Sequence, residues 1–150
     1  MFEDLDKFSS IGWDLDETMI DHPNSGLIQE YIKNNPKKKH YILTFRTHNL
    51  VNQIFPDLAK YPFDLTQTNF VGVFHIEDEA WAENNKMDYL RKSKMKFGPL
   101  TPPEIYYKTW KGMICSQHGI PVLVDDREKD VILGCEKYNI IYIHPNSLYV

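Results

Sequence analysis

Ser10-Ile11-Gly12-Trp13-Asp14-Leu15-Asp16-Glu17-Thr18 is the stretch whose reading decides the fold, because a short apolar run ends abruptly in two carboxylates one residue apart. A strand followed by Asp-x-Asp-x-Thr reads as a loop that does chemistry. Successive side chains of an extended segment alternate faces, so Asp14 and Asp16 are expected on the same side, close enough to share one cation. Two carboxylates on one hard ion, with positions left for phosphate oxygens and water, suit Mg²⁺. The competing reading is a turn that is merely rich in Asp.

Outward from this stretch, short β-rich runs alternate with longer amphipathic stretches, the pattern of strands joined by crossover helices. Strands are expected over 11–14, 41–45, 70–76, 122–125 and 140–143, and helices over 25–34, 48–60, 81–92, 102–117 and 128–138. The fold class is therefore α/β, a small doubly wound, Rossmann-like parallel sheet of about five strands with helices on both faces. At 150 residues, 42% hydrophobic and 13% aromatic, the chain has the material for a single domain with one well-buried core. The fourth helix has the clearest start, with Thr101 as cap, Pro102 and Pro103 in its first turn and Glu104 at capping-box spacing.

Ligands of open parallel sheets sit beyond the carboxyl ends of the strands, so two further strand ends matter. The second strand ends in Thr44-Phe45-Arg46, which puts a hydroxyl and a guanidinium where an anion would lie. The fourth ends in Asp125-Asp126-Arg127, two more carboxylates and another cation. Taken singly, Thr44 reads as an ordinary strand threonine and the acidic pair as a helix cap. Three such ends in one short chain point to a shared site.

These residues resemble the haloacid dehalogenase superfamily of aspartyl-phosphate-forming hydrolases. Asp14-Leu15-Asp16-Glu17-Thr18 matches its first motif, Thr44 its second and Asp125-Asp126 its fourth, in the right order and each after an apolar strand. Within it, Thr44-Phe45-Arg46 and Val124-Asp125-Asp126-Arg127 look most like the 3′-phosphatase domains of phage-type polynucleotide kinases, with Thr for Ser and Phe45 for Gly. The third motif is a lysine near the start of the fourth helix; Lys108 is taken for it, with Lys111 and Lys96 as rivals. The resemblance implies a Mg²⁺-dependent phosphohydrolase in which Asp14 attacks phosphorus and Asp16 serves as acid and then base. It implies that Mg²⁺ is held by Asp14, the Leu15 carbonyl and Asp125 or Asp126, with Asp16 also among the metal-site acids. Thr44, Arg46 and the lysine would stabilise phosphoryl oxygens, and Thr18 and Arg127 would join Arg46 at the substrate.

The implied substrate is a phosphorylated nucleic-acid 3′ end or a nucleotide. Alternatives are a 5′-nucleotidase or small-molecule phosphomonoesterase of the same superfamily and, from other classes, a receiver-like signalling module or an idle binding scaffold. About 25 residues separate Thr18 from Thr44, enough for one helix and no cap domain. The 75–100 segment is longer than a connection needs and leaves room for a small lid, with acids at Glu77, Asp78, Glu79 and Glu83 and bases at Arg91, Lys92, Lys94 and Lys96. Trp81, Tyr106, Tyr107 and Trp110 are candidate stacking surfaces. A net charge of −4 gives no global pull toward nucleic acid or membrane. Two cysteines without Cys-x-x-Cys spacing, six histidines without ligand spacing and no apolar signal or spanning run point to a cytoplasmic protein without a zinc site.

Overall fold

The computed structural model describes residues 1–46, 48–76 and 102–149. Among these, β1 (Ser10–Trp13), β2 (Lys39–Thr44), β3 (Gly72–His75), β4 (Val122–Val124) and β5 (Ile141–Ile143) form one all-parallel sheet in the order β3-β2-β1-β4-β5. The chain builds outward from β1 on one side through β2 and β3, then returns to lay β4 on the other. The crossing point between β1 and β4 is where such sheets open a crevice.

Both faces of the sheet are covered. On one, Ile11, Trp13, Ile42, Val122 and Val124 pack with α1 (Ser25–Asn34) and α3 (Ile54–Leu58); on the other, Tyr41, Leu43 and Leu123 pack with α4 (Pro102–Gln117) and α5 (Glu128–Lys137). The period-two alternation along β2 and β4 assigns neighbouring residues to opposite cores. In α1 the buried positions Ser25, Ile28, Gln29 and Ile32 fall at i, i+3, i+4 and i+7, one face of a helix. Ile28 and Ile32 are fully buried, each contributing roughly 1.5–3 kcal/mol by removal from water.

One expected helix is absent as drawn. The 48–60 stretch divides into α2 (His48–Val51) and α3, because Pro56 lacks the N–H a continuous helix would need and is tolerated only within a first turn. The helix expected over 81–92, the lid, the charge patches, Trp81, Lys96 and the Thr101 cap lie outside the described residues. No helix of the described residues is long and apolar enough to cross a membrane.

Two contacts fix the frame around the future site. A Cβ on Gly112 of α4 would collide with the Gly134 carbonyl of α5, and one on Gly134 would stand 2.8 Å from Thr109 Cα, so these helices meet backbone to backbone. Beneath β1, the Trp13 indole N–H donates to His40 Nδ1 at 3.0 Å, leaving His40 Nε2 to donate to the Asn35 carbonyl at 3.0 Å. This arrangement requires a neutral ring, and burial holds the His40 pKa below its usual value.

Candidate active site

Asp14 and Asp125 each follow directly on a buried strand, and the ladder continues through their own amides. Asp14 N–H donates to the Val124 carbonyl at 2.9 Å and Asp125 N–H to the Ile143 carbonyl at 3.2 Å. The two acids therefore emerge side by side at the crossing point of the sheet.

After Asp14 the chain stops being extended. The Leu15 carbonyl accepts from the amides of Thr18 (3.3 Å) and Ile20 (3.1 Å), and Glu17 takes a left-handed φ of 59°. That conformation is uncommon for a residue with a long side chain and turns the loop back beneath Asp14. From α1, Ser25 Oγ donates to the Thr18 carbonyl at 2.8 Å and Gln29 Nε2 to the Met19 carbonyl at 2.7 Å, holding the loop down. Two expectations are corrected by this turn. Alternation no longer applies past Leu15, and among the described residues the carboxylates grouped closely enough to hold an ion are Asp14, Asp125 and Asp126, without Asp16. The Leu15 carbonyl, with both lone pairs engaged by the turn, is not free to ligate a metal.

The lysine that reaches the acids is Lys111, not Lys108. Its Nζ lies 2.6 Å from Asp14 Oδ1 and 2.6 Å from Asp125 Oδ2, with only 1% of its side chain exposed. Lys111 adjoins the Gly112 contact that presses α4 into the fold, whereas Lys108, one turn earlier, does not line the cleft. Burial alone would lower the Lys111 pKa, but Asp125 and Asp14 outweigh it and keep the ammonium charged. Burial pushes the Asp14 carboxyl up to about 6 against the pull of Lys111, and it raises Asp125 and Asp126 as well.

Asp126 completes the group. Asp14, Asp125 and Asp126 each present an oxygen within 4.8 Å of the others. Thr18 Oγ1, fully buried, contacts Asp14 Oδ2 at 3.1 Å and Asp126 Oδ1 at 3.3 Å. Thr18 thus ties the acids together from behind, where a substrate-contacting role had been expected. Three carboxylates are an all-oxygen donor set suited to Mg²⁺, and each keeps lone pairs beyond those used by Lys111, Thr18 and the Arg127 amide.

Above them opens a cleft of about 430 Å³. Thr44 lines it with its hydroxyl accepting from the Arg46 amide at 3.1 Å. Arg46 faces Asp16 in a two-point contact, Nε to Oδ2 at 2.9 Å and Nη2 to Oδ1 at 2.7 Å, and also reaches Asp57 Oδ2 at 2.8 Å. Arg127 lines the rim and pairs with Asp130 at 2.7 Å.

Phe45, where the resembling motif has glycine, stacks on Tyr107 with centroids 4.1 Å apart and lies 4.5 Å from Lys111 Nζ. The ring gives the buried ammonium an aromatic face. Of the expected stacking residues, Tyr106 and Trp110 are core, and Tyr107 lines the cleft already stacked on Phe45. Sequence reasoning missed Asp57, and it missed Tyr142, whose hydroxyl donates to the Asp125 carbonyl at 2.7 Å. Neither carries a local signal, since an Asp beside a proline and a Tyr in an edge strand are both ordinary. No family model matches the chain, and no curated protein matches it.

Proposed function

We propose that the cleft hydrolyses phosphomonoesters with Mg²⁺ through a phosphoryl group carried transiently on Asp14. The observation that carries this reading is the Asp14–Asp125–Asp126 group, three oxygens within 4.8 Å at the sheet's crossing point, with Lys111 charged and buried between two of them. A site built only to be stable has little use for three acids whose burial opposes their own ionisation, whereas perturbed carboxylates around one buried cation are what acid, base and phosphoryl chemistry use.

In the proposed reaction an Asp14 oxygen forms a bond to phosphorus as the ester P–O bond breaks, and Asp16, released from Arg46 and protonated from solvent, gives that proton to the departing oxygen. Water then adds to the aspartyl-phosphate, losing a proton to Asp16, and inorganic phosphate leaves as Asp14 is restored. Lys111 and the Thr44 hydroxyl balance charge on the phosphoryl oxygens. Asp14, Asp125 and Asp126 would hold Mg²⁺, which neutralises charge on the transferring group. The half-exposed Asp16 side chain, at 49%, suits exchange of protons with a leaving group entering from solvent.

The substrate proposed is a phosphorylated nucleic-acid end or a nucleotide, with a nucleotidase or small-molecule phosphatase as the alternative. The chain between Thr18 and Thr44 is used up by α1 and β2 at the core, which supports a cleft accessible to a polymer end. The receiver-like alternative is disfavoured by strand order, since receivers use 2-1-3-4-5. The test is a phosphate-release screen with Mg²⁺ over 3′- and 5′-mononucleotides, 3′- and 5′-phosphorylated oligonucleotides and sugar phosphates. Release that Asp14→Asn abolishes is expected; release from no member of the panel would refute the reading. If oligonucleotide ends are preferred, their advantage should fade with salt by roughly 0.7 log units per tenfold for each backbone contact.

A further inference from the structure

We propose that Asp57 is a positioning residue for this cleft, holding the Arg46 guanidinium at the wall so that the cation can exchange its Asp16 partner for an anionic oxygen of the substrate without leaving the site. The exchange rests on the phosphohydrolase reading above; the anchoring does not.

Among the described residues, three cations line the cleft. Lys111 is committed to Asp14 and Asp125 with its side chain buried, and Arg127 is half-exposed and turned to Asp130. Arg46 spans one acid that is mostly buried and one that is half-exposed. Its own side chain is 9% exposed, Asp57 is 20% exposed and Asp16 is 49% exposed. A contact between partly dehydrated groups is stronger and less mobile than one facing water. The Asp57 side of Arg46 is therefore the fixed side and the Asp16 side the exchangeable one.

The donors allow this division. Nε and Nη2 serve Asp16, Nη2 also meets Asp57, and Nη1 lies 3.5 Å from the Leu50 carbonyl. The two N–H groups facing Asp16 form the planar fork that fits two oxygens of a phosphate as well as two of a carboxylate. Asp57 itself is set in α3, whose Ile54 and Leu58 are core residues, so its backbone is fixed by the core. Its second oxygen meets the exposed Lys60 at 3.2 Å. Burial raises the Asp57 pKa, but Arg46 and Lys60 more than reverse this and keep it ionised.

The experiment uses the full chain with Asp57→Asn, Asp57→Glu, Arg46→Ala and the Arg46→Ala/Asp57→Asn pair. In the ¹⁵N-labelled protein without substrate, the Arg46 Nη2–H signals should exchange with water about tenfold faster in Asp57→Asn, the order expected for loss of one charge-assisted hydrogen bond, and Asp57→Glu should recover part of it. With p-nitrophenyl phosphate, Asp57→Asn should raise KM about tenfold and leave kcat within about twofold, and it should have no such effect once Arg46 is alanine. Unchanged Nη2–H exchange overturns the proposal, as do equal kinetic effects in both backgrounds. If no phosphomonoester is turned over while Asp57→Asn still releases Arg46, the phosphatase reading falls and the anchoring stands.

Discussion

Lys111 Nζ lies 2.6 Å from Asp14 Oδ1 across 97 residues of sequence, and the same ammonium holds Asp125. Removing it strands two buried carboxylates. Lys111→Met should therefore cost about 3–5 kcal/mol of stability at neutral pH and abolish turnover, whereas Lys108→Met should stay within about 0.5 kcal/mol of the parent. Urea unfolding of the two variants checks this, and equal effects would return the motif lysine to Lys108.

Asp14 sets a stability trend of its own. Its folded pKa, about 6, lies above the 3.8 of an ordinary aspartate because of burial. Between those values the folded chain binds a proton that the unfolded chain does not, so the metal-free protein should lose stability as pH rises from 4 to 6, by roughly 2–3 kcal/mol from this group. Asp14→Asn should remove that part of the slope, raise the neutral-pH melting temperature and eliminate turnover. A melting series of both proteins in EDTA reads all but the last.

Metal should reverse the cost. An ion bound only by the folded state at a hundredfold excess over its Kd adds about 2.7 kcal/mol, or roughly 5–10 °C in Tm for a chain of this size. Mg²⁺ should produce that shift in the parent, EDTA should cancel it together with activity, and Asp125→Asn and Asp126→Asn should each blunt it. A Tm indifferent to Mg²⁺ would remove the metal from the mechanism.

His40 predicts the opposite pH trend. Its folded pKa is held below 6.5 by burial, so the stability tied to the neutral ring is present above that pH and lost as pH falls toward the folded value. His40→Gln should flatten this part of the profile relative to the parent, and Trp13 emission in the parent should change over the same range as its indole loses its acceptor.

The strands and the acids at their ends were legible because a buried strand writes itself as a short β-branched run, and because three strand ends together carried polar groups where any one alone would read as a turn or a cap. What came next was not. Asp16 was assigned by strand alternation, and alternation ended one residue earlier, at a turn held by Thr18, Ile20 and α1. Lys108 and Lys111 were indistinguishable because the buried residues Ile105, Tyr106, Thr109, Trp110 and Ile114 all fall within one half of α4, which leaves both lysines on the other half. Pro56 was in plain view and should have divided the 48–60 helix. The Arg46–Asp57 pairing is a tertiary fact with no local trace.

The crossing of α4 and α5 separates what can vary in this protein from what cannot. At Gly112 and Gly134 the neighbours are backbone atoms, which cannot turn aside as a side chain would, so a saturation library at either position should return glycine alone. The height of Lys111 above the acids is thereby out of reach of gradual adjustment through side-chain volume. Adaptation of the cleft to a new leaving group has to proceed through Phe45, Arg46 and Tyr107, residues of the rim whose contacts are rings and charges that can be exchanged one at a time.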